Sequence, residues 1–166
     1  MPAVPSLELK LPPEWSAIQR AWEPCRATLD RAGLDEATVY ALSMAAQELL
    51  ENAVKYGDAS ADISLTLQLS PAEVTIEVRN RVGADEAQLH GFDRAIQWMR
   101  GFQDPFEAYV ERLKLVSAES YRGGHGGLGL TRIAYEARCL LDFYVDEAGV
   151  LAVSAVHALP EHPMTR

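Results

Sequence analysis

The sequence is poor in cysteine and lacks long apolar runs. Its 166 residues hold two cysteines, Cys25 and Cys139, which lie too far apart in the chain to form a metal-spaced pair. Two such thiols are most simply free and reduced, so we expect a cytoplasmic protein. No apolar run reaches the roughly 20 residues that span a bilayer, and residues 1–5 lack the basic and apolar parts of a signal peptide. We therefore expect no membrane contact.

The chain is also short of positive charge. Its 15 Lys and Arg stand against 24 Asp and Glu, which gives a net charge of −9 and a pI near 4.9. A nucleic-acid-binding surface needs clustered basic residues, so direct nucleic-acid binding is not expected. Hydrophobic residues make up 48% of the chain, which is ordinary for one globular domain. We expect a single domain over residues 1–158 and a loose tail over residues 159–166.

The most informative stretch is residues 47–56, the second half of a helix predicted to begin near Asp35. Asp35 is suited to be its N-cap, and Gly57 stands where the helix should stop. Apolar residues at helical spacing predict one buried face. Its members are Val39, Leu42, Ala46, Leu49, Leu50 and Ala53.

Glu48, Asn52 and Lys55 are spaced i, i+4 and i+7, so they line a second stripe beside the buried face. Between residues 41 and 45 this stripe is small or apolar, so we expect another part of the chain to cover it. A carboxylate, an amide and an ammonium on a partly covered face suit a cation and phosphates. Asn52 is then a candidate Mg²⁺ ligand, Lys55 a candidate phosphate contact and Glu48 a candidate general base. Taken alone, this segment is better explained as an ordinary amphipathic helix with charges at its edge.

The remaining elements predict the fold class. Alternating residues predict strands, and helical spacing predicts helices before, between and after them. Strands arrive in hairpins rather than alternating singly with helices, which disfavours a doubly wound parallel sheet. We expect a two-layer α/β sandwich with a mixed, mostly antiparallel sheet and helices on one face. The predicted strands are 7–11, 63–69, 74–79, 140–145 and 150–156; the predicted helices are 14–32, kinked or split by Pro24 and capped by Gly33, then 35–56, a helical region between 80 and 123, and 130–137.

Glycines crowd residues 123–129, directly before the last predicted helix. Glycine permits close backbone approach, and exposed N–H groups at a helix start favour anions. The spacing alone fits three unrelated patterns. A dinucleotide fingerprint should follow a strand, a Walker A loop needs Lys-Ser/Thr where this chain has Leu130-Thr131, and a protein-kinase loop needs a downstream His-Arg-Asp segment that is missing. Arg122 and Arg132 flank the loop and are either phosphate ligands or ordinary surface residues.

In combination these segments resemble the GHKL ATPase family, which includes histidine kinases and anti-sigma-factor kinases. Glu48-x-x-x-Asn52-Ala53-x-Lys55 resembles its N box. Gly127-Leu128-Gly129-Leu130 resembles its glycine box, with His125 where the first glycine of that box usually lies. N box, hairpin, helical lid, glycine box and two last strands follow in family order across nearly the whole chain. The chain most resembles the anti-sigma-factor serine kinases of bacterial partner-switching systems.

The resemblance implies a Bergerat-type sandwich that binds ATP and Mg²⁺. Glu48 would be the catalytic residue, and Asn52 would hold the metal. The implied partner is an antagonist or sigma-factor-like regulatory protein, phosphorylated on Ser or Thr, and a homodimer is left open. The residues implied to bind the nucleotide are Asn52, Lys55, Asn80, His125, Gly126, Gly127, Leu128 and Gly129.

The adenine box departs from the family. Its Asp-x-Gly-x-Gly pattern should fall at residues 80–84, where this chain has Asn80-Arg81-Val82-Gly83-Ala84. Asn80 can accept a hydrogen bond through its amide oxygen, but without the strength that a charge adds. The alternative is therefore a non-enzymatic regulator that binds partner proteins and holds nucleotide weakly or not at all.

Overall fold

The computed structural model describes residues 6–58, 60–82 and 128–160, with the single positions 94, 97 and 107. Beyond residue 82 the predicted helical region lies almost wholly outside the described residues, as do residues 161–166. The elements in chain order are β1 Ser6–Leu11, α1 Trp15–Arg20, α2 Trp22–Arg31, α3 Glu36–Tyr56, β2 Ile63–Leu69, β3 Glu73–Arg81, α4 Leu128–Glu136, β4 Cys139–Val145 and β5 Val150–Ala158.

The first predicted helix is split, as the proline led us to expect. α1 ends at Arg20 and α2 begins at Trp22, so Pro24 falls in the first turn of α2. A proline there costs little, whereas in one continuous helix it would crowd the Arg20 carbonyl and leave it without a donor. Gly33 follows α2 with a φ of +78°, and its N–H donates to the Asp30 carbonyl at 3.1 Å. Both predictions are confirmed.

The 21-residue helix α3 contacts the three other helices that the structure describes. The Asp35 carboxylate caps it by accepting a hydrogen bond from the Thr38 N–H at 3.2 Å. The six residues of the predicted apolar face are all buried, and this face lies against β2 and β3. Among the described residues, no helix is both long enough and apolar enough to cross a membrane.

A five-stranded sheet in the order β1-β2-β3-β5-β4 forms the second layer. Alternate residues of β2 and β3 are buried, and those between them are exposed or half-buried. The predicted α/β sandwich is confirmed, including the hairpin in which Ser64 lies opposite Arg79 and Leu69 opposite Val74. The sheet was expected to be mixed; within the described strands every pairing is antiparallel.

The first residue after β5 packs against the rest of the domain. Beyond β5 the Leu159 N–H donates to the Ala72 carbonyl at 2.8 Å, and the Leu159 side chain packs against the core. The domain boundary at residue 158 stays a prediction.

Cys25 and Cys139 are free and buried. Burial raises the pKa of Cys25 to about 11 and that of Cys139 to about 12, so both thiols are poor nucleophiles at neutral pH.

Candidate functional site

The polar stripe of α3 runs from the interior to the surface. Met44 and Ala45 are buried, as expected for a covered stripe. Glu48 and Asn52 are half-buried, and Lys55 is exposed. Consecutive polar members stand about one helical turn, or roughly 5 Å, apart along the axis. The stripe therefore carries its polar groups at the rim of the core.

Helix α4 meets this stripe through an ion pair. Arg132 Nη1 donates to Glu48 Oε1 at 3.1 Å, although the two residues stand 84 positions apart in the sequence. The Glu48 side chain is only 19% exposed. The second Nη of Arg132 donates to Glu136 Oε2, one turn further along α4, at 3.4 Å. We refer to Glu48 and Arg132, with the α3 and α4 residues one turn on either side, as the α3–α4 seam.

The Glu48 carboxyl titrates above its ordinary range. Burial is the largest cause that raises its pKa, and the negative charges of Glu51 and Glu136 raise it further. The positive charges of Arg132 and Lys55 act in the opposite direction and lower it, without cancelling the rise. A raised pKa brings a carboxylate closer to the pH at which it exchanges a proton efficiently with a reacting group.

Asn80 lies near the end of strand β3, beside the C-terminal end of α3. Asn80 is 6% exposed, and its Nδ2 atom makes no hydrogen bond within the part of the chain that the structure describes. Gly57, directly after α3, lies against it: a Cβ at Gly57 would stand 2.5 Å from Asn80 Nδ2 and 2.4 Å from the Ala53 carbonyl oxygen. The predicted helix end at Gly57 is thus confirmed, but glycine is needed for this close approach and not for a left-handed turn.

The described part of helix α4 starts inside the predicted glycine box. Leu128 and Gly129 are its first two described residues, whereas His125, Gly126 and Gly127 lie outside the described residues. Arg132 stands four positions after Leu128, so Leu128 lies about 6 Å along the helix axis from the residue that meets Glu48. The first N–H groups of a helix have no partner within it and favour anions.

Two features of the site were missed from the sequence. Arg132 was considered only as a phosphate ligand or surface residue, and its pairing with Glu48 was not foreseen. Its place one turn into the helix after the glycine cluster was the available signal, but the sequence does not give the register between two helices. The contact between Gly57 and Asn80 likewise depends on how α3 ends against β3. No local pattern reports that distance.

A model of the histidine kinase-like ATPase domain matches residues 11–134, which is 124 of the 166 residues. The chain belongs to the histidine kinase-like ATPase family. The matched segment includes all of α3 and residues 128–134 of α4, so Glu48 and Arg132 both lie within the matched family domain. The family resemblance stated from the boxes is confirmed.

A solved structure agrees with this assignment. The chain is similar to a chain in the crystal structure of the SiaB–SiaC complex from Pseudomonas aeruginosa, with 22% identity and a TM-score of 0.67. The similarity covers 90% of this chain and 88% of that chain. At this level of identity the likeness shows a shared histidine kinase-like fold. No curated protein matches the sequence.

Proposed function

We propose that this domain binds ATP with Mg²⁺ and acts as a regulatory protein kinase of the anti-sigma-factor type. The observation that carries the proposal is the α3–α4 seam, where the helix with the N box meets the helix that follows the glycine box through Glu48 and Arg132. Family membership supports nucleotide binding. Phosphoryl transfer depends mainly on positioning and on neutralising charge, and the seam offers groups for both.

Asn52 is the proposed Mg²⁺ ligand, through its amide oxygen one turn after Glu48. The described residues contain no group of three or more His, Cys, Asp and Glu side chains placed to hold a metal ion. The Asn52 amide oxygen fits Mg²⁺, because this ion is commonly bound through one or two protein oxygens together with substrate phosphates and water. When bound, the ion neutralises phosphate charge, and exposed Lys55 adds positive charge at the same rim.

The glycine box is proposed to hold the triphosphate through backbone N–H groups. Gly126, Gly127 and Gly129 permit close approach of the phosphates, and His125 and Leu128 complete the segment. Helix α4, whose described part starts at Leu128, supports this role, because the first turn of a helix presents unpaired N–H groups and the positive end of the helix dipole.

Asn80 is the proposed contact with the adenine base. A buried donor without a partner costs roughly 1–3 kcal/mol, so such a group calls for a functional explanation. Asn80 Nδ2 is such a donor among the described residues. Adenine presents ring nitrogens that accept hydrogen bonds and an amino group that donates, and one amide side chain can serve either.

The proposed reaction places Glu48 beside the acceptor hydroxyl. The Ser or Thr oxygen of the partner attacks the γ-phosphorus, a new P–O bond forms, and the bond from that phosphorus to the bridging oxygen breaks to release ADP. Glu48 takes the hydroxyl proton. Its half-buried position and raised pKa suit a group that must be ionised before the step and protonated after it.

The proposed partner is an antagonist or sigma-factor-like regulatory protein. The similarity to a chain of the SiaB–SiaC complex supports this class, because that chain was crystallised as part of an assembly of two proteins.

Titration of Mg-ATP by calorimetry tests the nucleotide site. Wild type should bind, and Asn52→Ala should lose tenfold or more in affinity because the metal ligand is removed. Glu51→Ala is the matched control one position earlier on the same helix, and it should bind at least as tightly as wild type. Equal affinity of wild type and Asn52→Ala, or no binding by either, would refute the proposal.

One observation favours a second function. Asn80 replaces the family's Asp and lowers the strength of the hydrogen bond expected to the adenine. The second proposal is a regulator that binds its partner without phosphorylating it. Transfer of labelled γ-phosphate to an antagonist protein that binds this domain, compared between wild type and Glu48→Ala, separates the two. Label that depends on Glu48 indicates a kinase, and no label with intact partner binding indicates the non-enzymatic regulator.

A further inference from the structure

The ion pair between Arg132 and Glu48 differs from an ordinary surface pair. Arg26 and Asp30 on α2 show the ordinary case, with a separation of 3.9 Å and side chains 49% and 59% exposed. Arg132 and Glu48 stand 3.1 Å apart and are 34% and 19% exposed. Exposed pairs contribute little because water screens them, whereas screening weakens as burial increases. This pair therefore has more influence on the state of its carboxylate.

The chemistry of arginine suits the two contacts that this residue makes. Its guanidinium is planar, stays protonated at any ordinary pH and presents several donors in fixed directions. One nitrogen meets Glu48, and another meets Glu136 at 3.4 Å. The guanidinium is therefore anchored on α4 while it holds a carboxylate of α3. A lysine ammonium concentrates its charge at one nitrogen, so it lacks the two separate nitrogen donors that meet Glu48 and Glu136 here.

Among the described residues, four charged groups act on Glu48, two from each helix of the seam. Glu51 on α3 and Glu136 on α4 disfavour the ionised carboxylate, as does burial, which is the largest effect. Lys55 on α3 and Arg132 on α4 favour it. Arg132 has the larger effect of the two cations and donates a hydrogen bond to the carboxylate. Removal of Arg132 would therefore raise the pKa of Glu48 further.

We propose that Arg132 is a positioning residue for the base: it keeps the Glu48 carboxylate ionised and oriented, and it ties that orientation to α4, the helix that carries Leu128 and Gly129 of the glycine box. The inference rests on the proposed function of Glu48. In this proposal Arg132 binds the Glu48 carboxylate. It does not bind the phosphates, although its position after the glycine cluster made it a candidate phosphate ligand. A shift of α4 on phosphate binding would then act directly on the base.

The test is a carbon-detected NMR titration of the Glu48 carboxyl in the full chain. Arg132→Gln should raise the pKa of Glu48. Glu136→Gln is the matched variant on α4, and it should lower that pKa, because it removes a negative charge and leaves the guanidinium to Glu48 alone. Opposite shifts support the proposal, and Glu136→Gln gives a result even if Arg132→Gln does not fold. An unchanged pKa of Glu48 in either folded variant would overturn it.

Two further measurements separate this role from a structural one. The acid limb of the pH profile for phosphotransfer should move to higher pH in Arg132→Gln, while affinity for Mg-ATP stays within about threefold of wild type. Lost ATP affinity with an unchanged Glu48 pKa would make Arg132 a phosphate ligand and overturn the inference. A wild type that binds no ATP would refute the proposed function, whereas the NMR shifts would still report the coupling of Arg132 to Glu48.

Discussion

On one face of the sheet, the middle of β3 buries apolar side chains, whereas its end buries a polar side chain. Val74, Ile76 and Val78 lie under the helices and are at most 1% exposed. Two positions on, Asn80 is 6% exposed in the same register, and its Nδ2 has no partner among the described residues. A strand shaped only for packing would continue with an apolar residue. The difference teaches that the end of β3 retains an unfavourable group, which is common where a protein binds a ligand.

Helix α3 shows the same contrast around its circumference. Leu42 and Leu50 are fully buried between the layers. Glu48, on the adjoining stripe, is half-buried with a raised pKa and is held by a residue from another helix. The apolar face of α3 stabilises the fold. Its polar stripe contacts α4 through Glu48 and Arg132, and Gly57, directly after the helix, lies against Asn80 near the end of β3.

Exchanging the residue types at positions 78 and 80 of β3 should have the largest effect on the free energy of unfolding. Val78→Asn buries an amide in the apolar middle of the strand and should lower the free energy of unfolding by about 2–4 kcal/mol. Asn80→Val removes the unpaired donor and should leave that free energy unchanged or raise it by up to about 1 kcal/mol, while Mg-ATP affinity falls. Urea denaturation and calorimetry measure both quantities. Equal destabilisation by the two variants would contradict the contrast.

Gly57→Ala should have a smaller effect at the junction of the two regions. The new Cβ would meet the Ala53 carbonyl oxygen, a backbone atom that cannot move freely, and the Asn80 amide. Overpacking of this kind costs about 1–3 kcal/mol. Gly33→Ala is the matched control, because its Cβ meets nothing within 4 Å and its φ of +78° costs about 1 kcal/mol. Only Gly57→Ala should also weaken Mg-ATP binding, and wild-type affinity in that variant would argue against a site beside Asn80.

The pH dependence of stability should show the smallest effect. The pKa of Glu48 is raised above 4.5 in the folded chain, so the fold binds this proton more tightly than the unfolded chain does. The stabilisation from protonation is present below the unfolded pKa and is lost as the pH rises through the folded pKa. Between pH 4 and 7 the stability of wild type, relative to Glu48→Gln, should therefore fall as the pH rises. A relative stability that increases with pH would mean that the Glu48 pKa is lowered.

Much of this fold follows from local patterns, whereas the site follows from contacts between elements. The cap at Asp35, the split near Pro24 and the hairpin of β2 and β3 each depend on residues close together in sequence, and each was predicted. The pairing of Glu48 with Arg132 depends on the register of two helices 84 residues apart, which no local pattern encodes. The roles of the described site residues stay predictions, and His125, Gly126 and Gly127 lie outside the described residues. The described site residues are Glu48, Asn52, Lys55, Asn80, Leu128 and Gly129.

The central claim is that one bound nucleotide contacts both the N-box helix and the glycine box. Its most direct test is an NMR footprint of the wild-type chain with ATP and Mg²⁺, read at the Asn52 and Asn80 side-chain amides and at the Gly129 backbone amide. The account predicts that all three signals shift together along one binding curve. Shifts at Gly129 without any at Asn52, or no saturable shift at either, would contradict it.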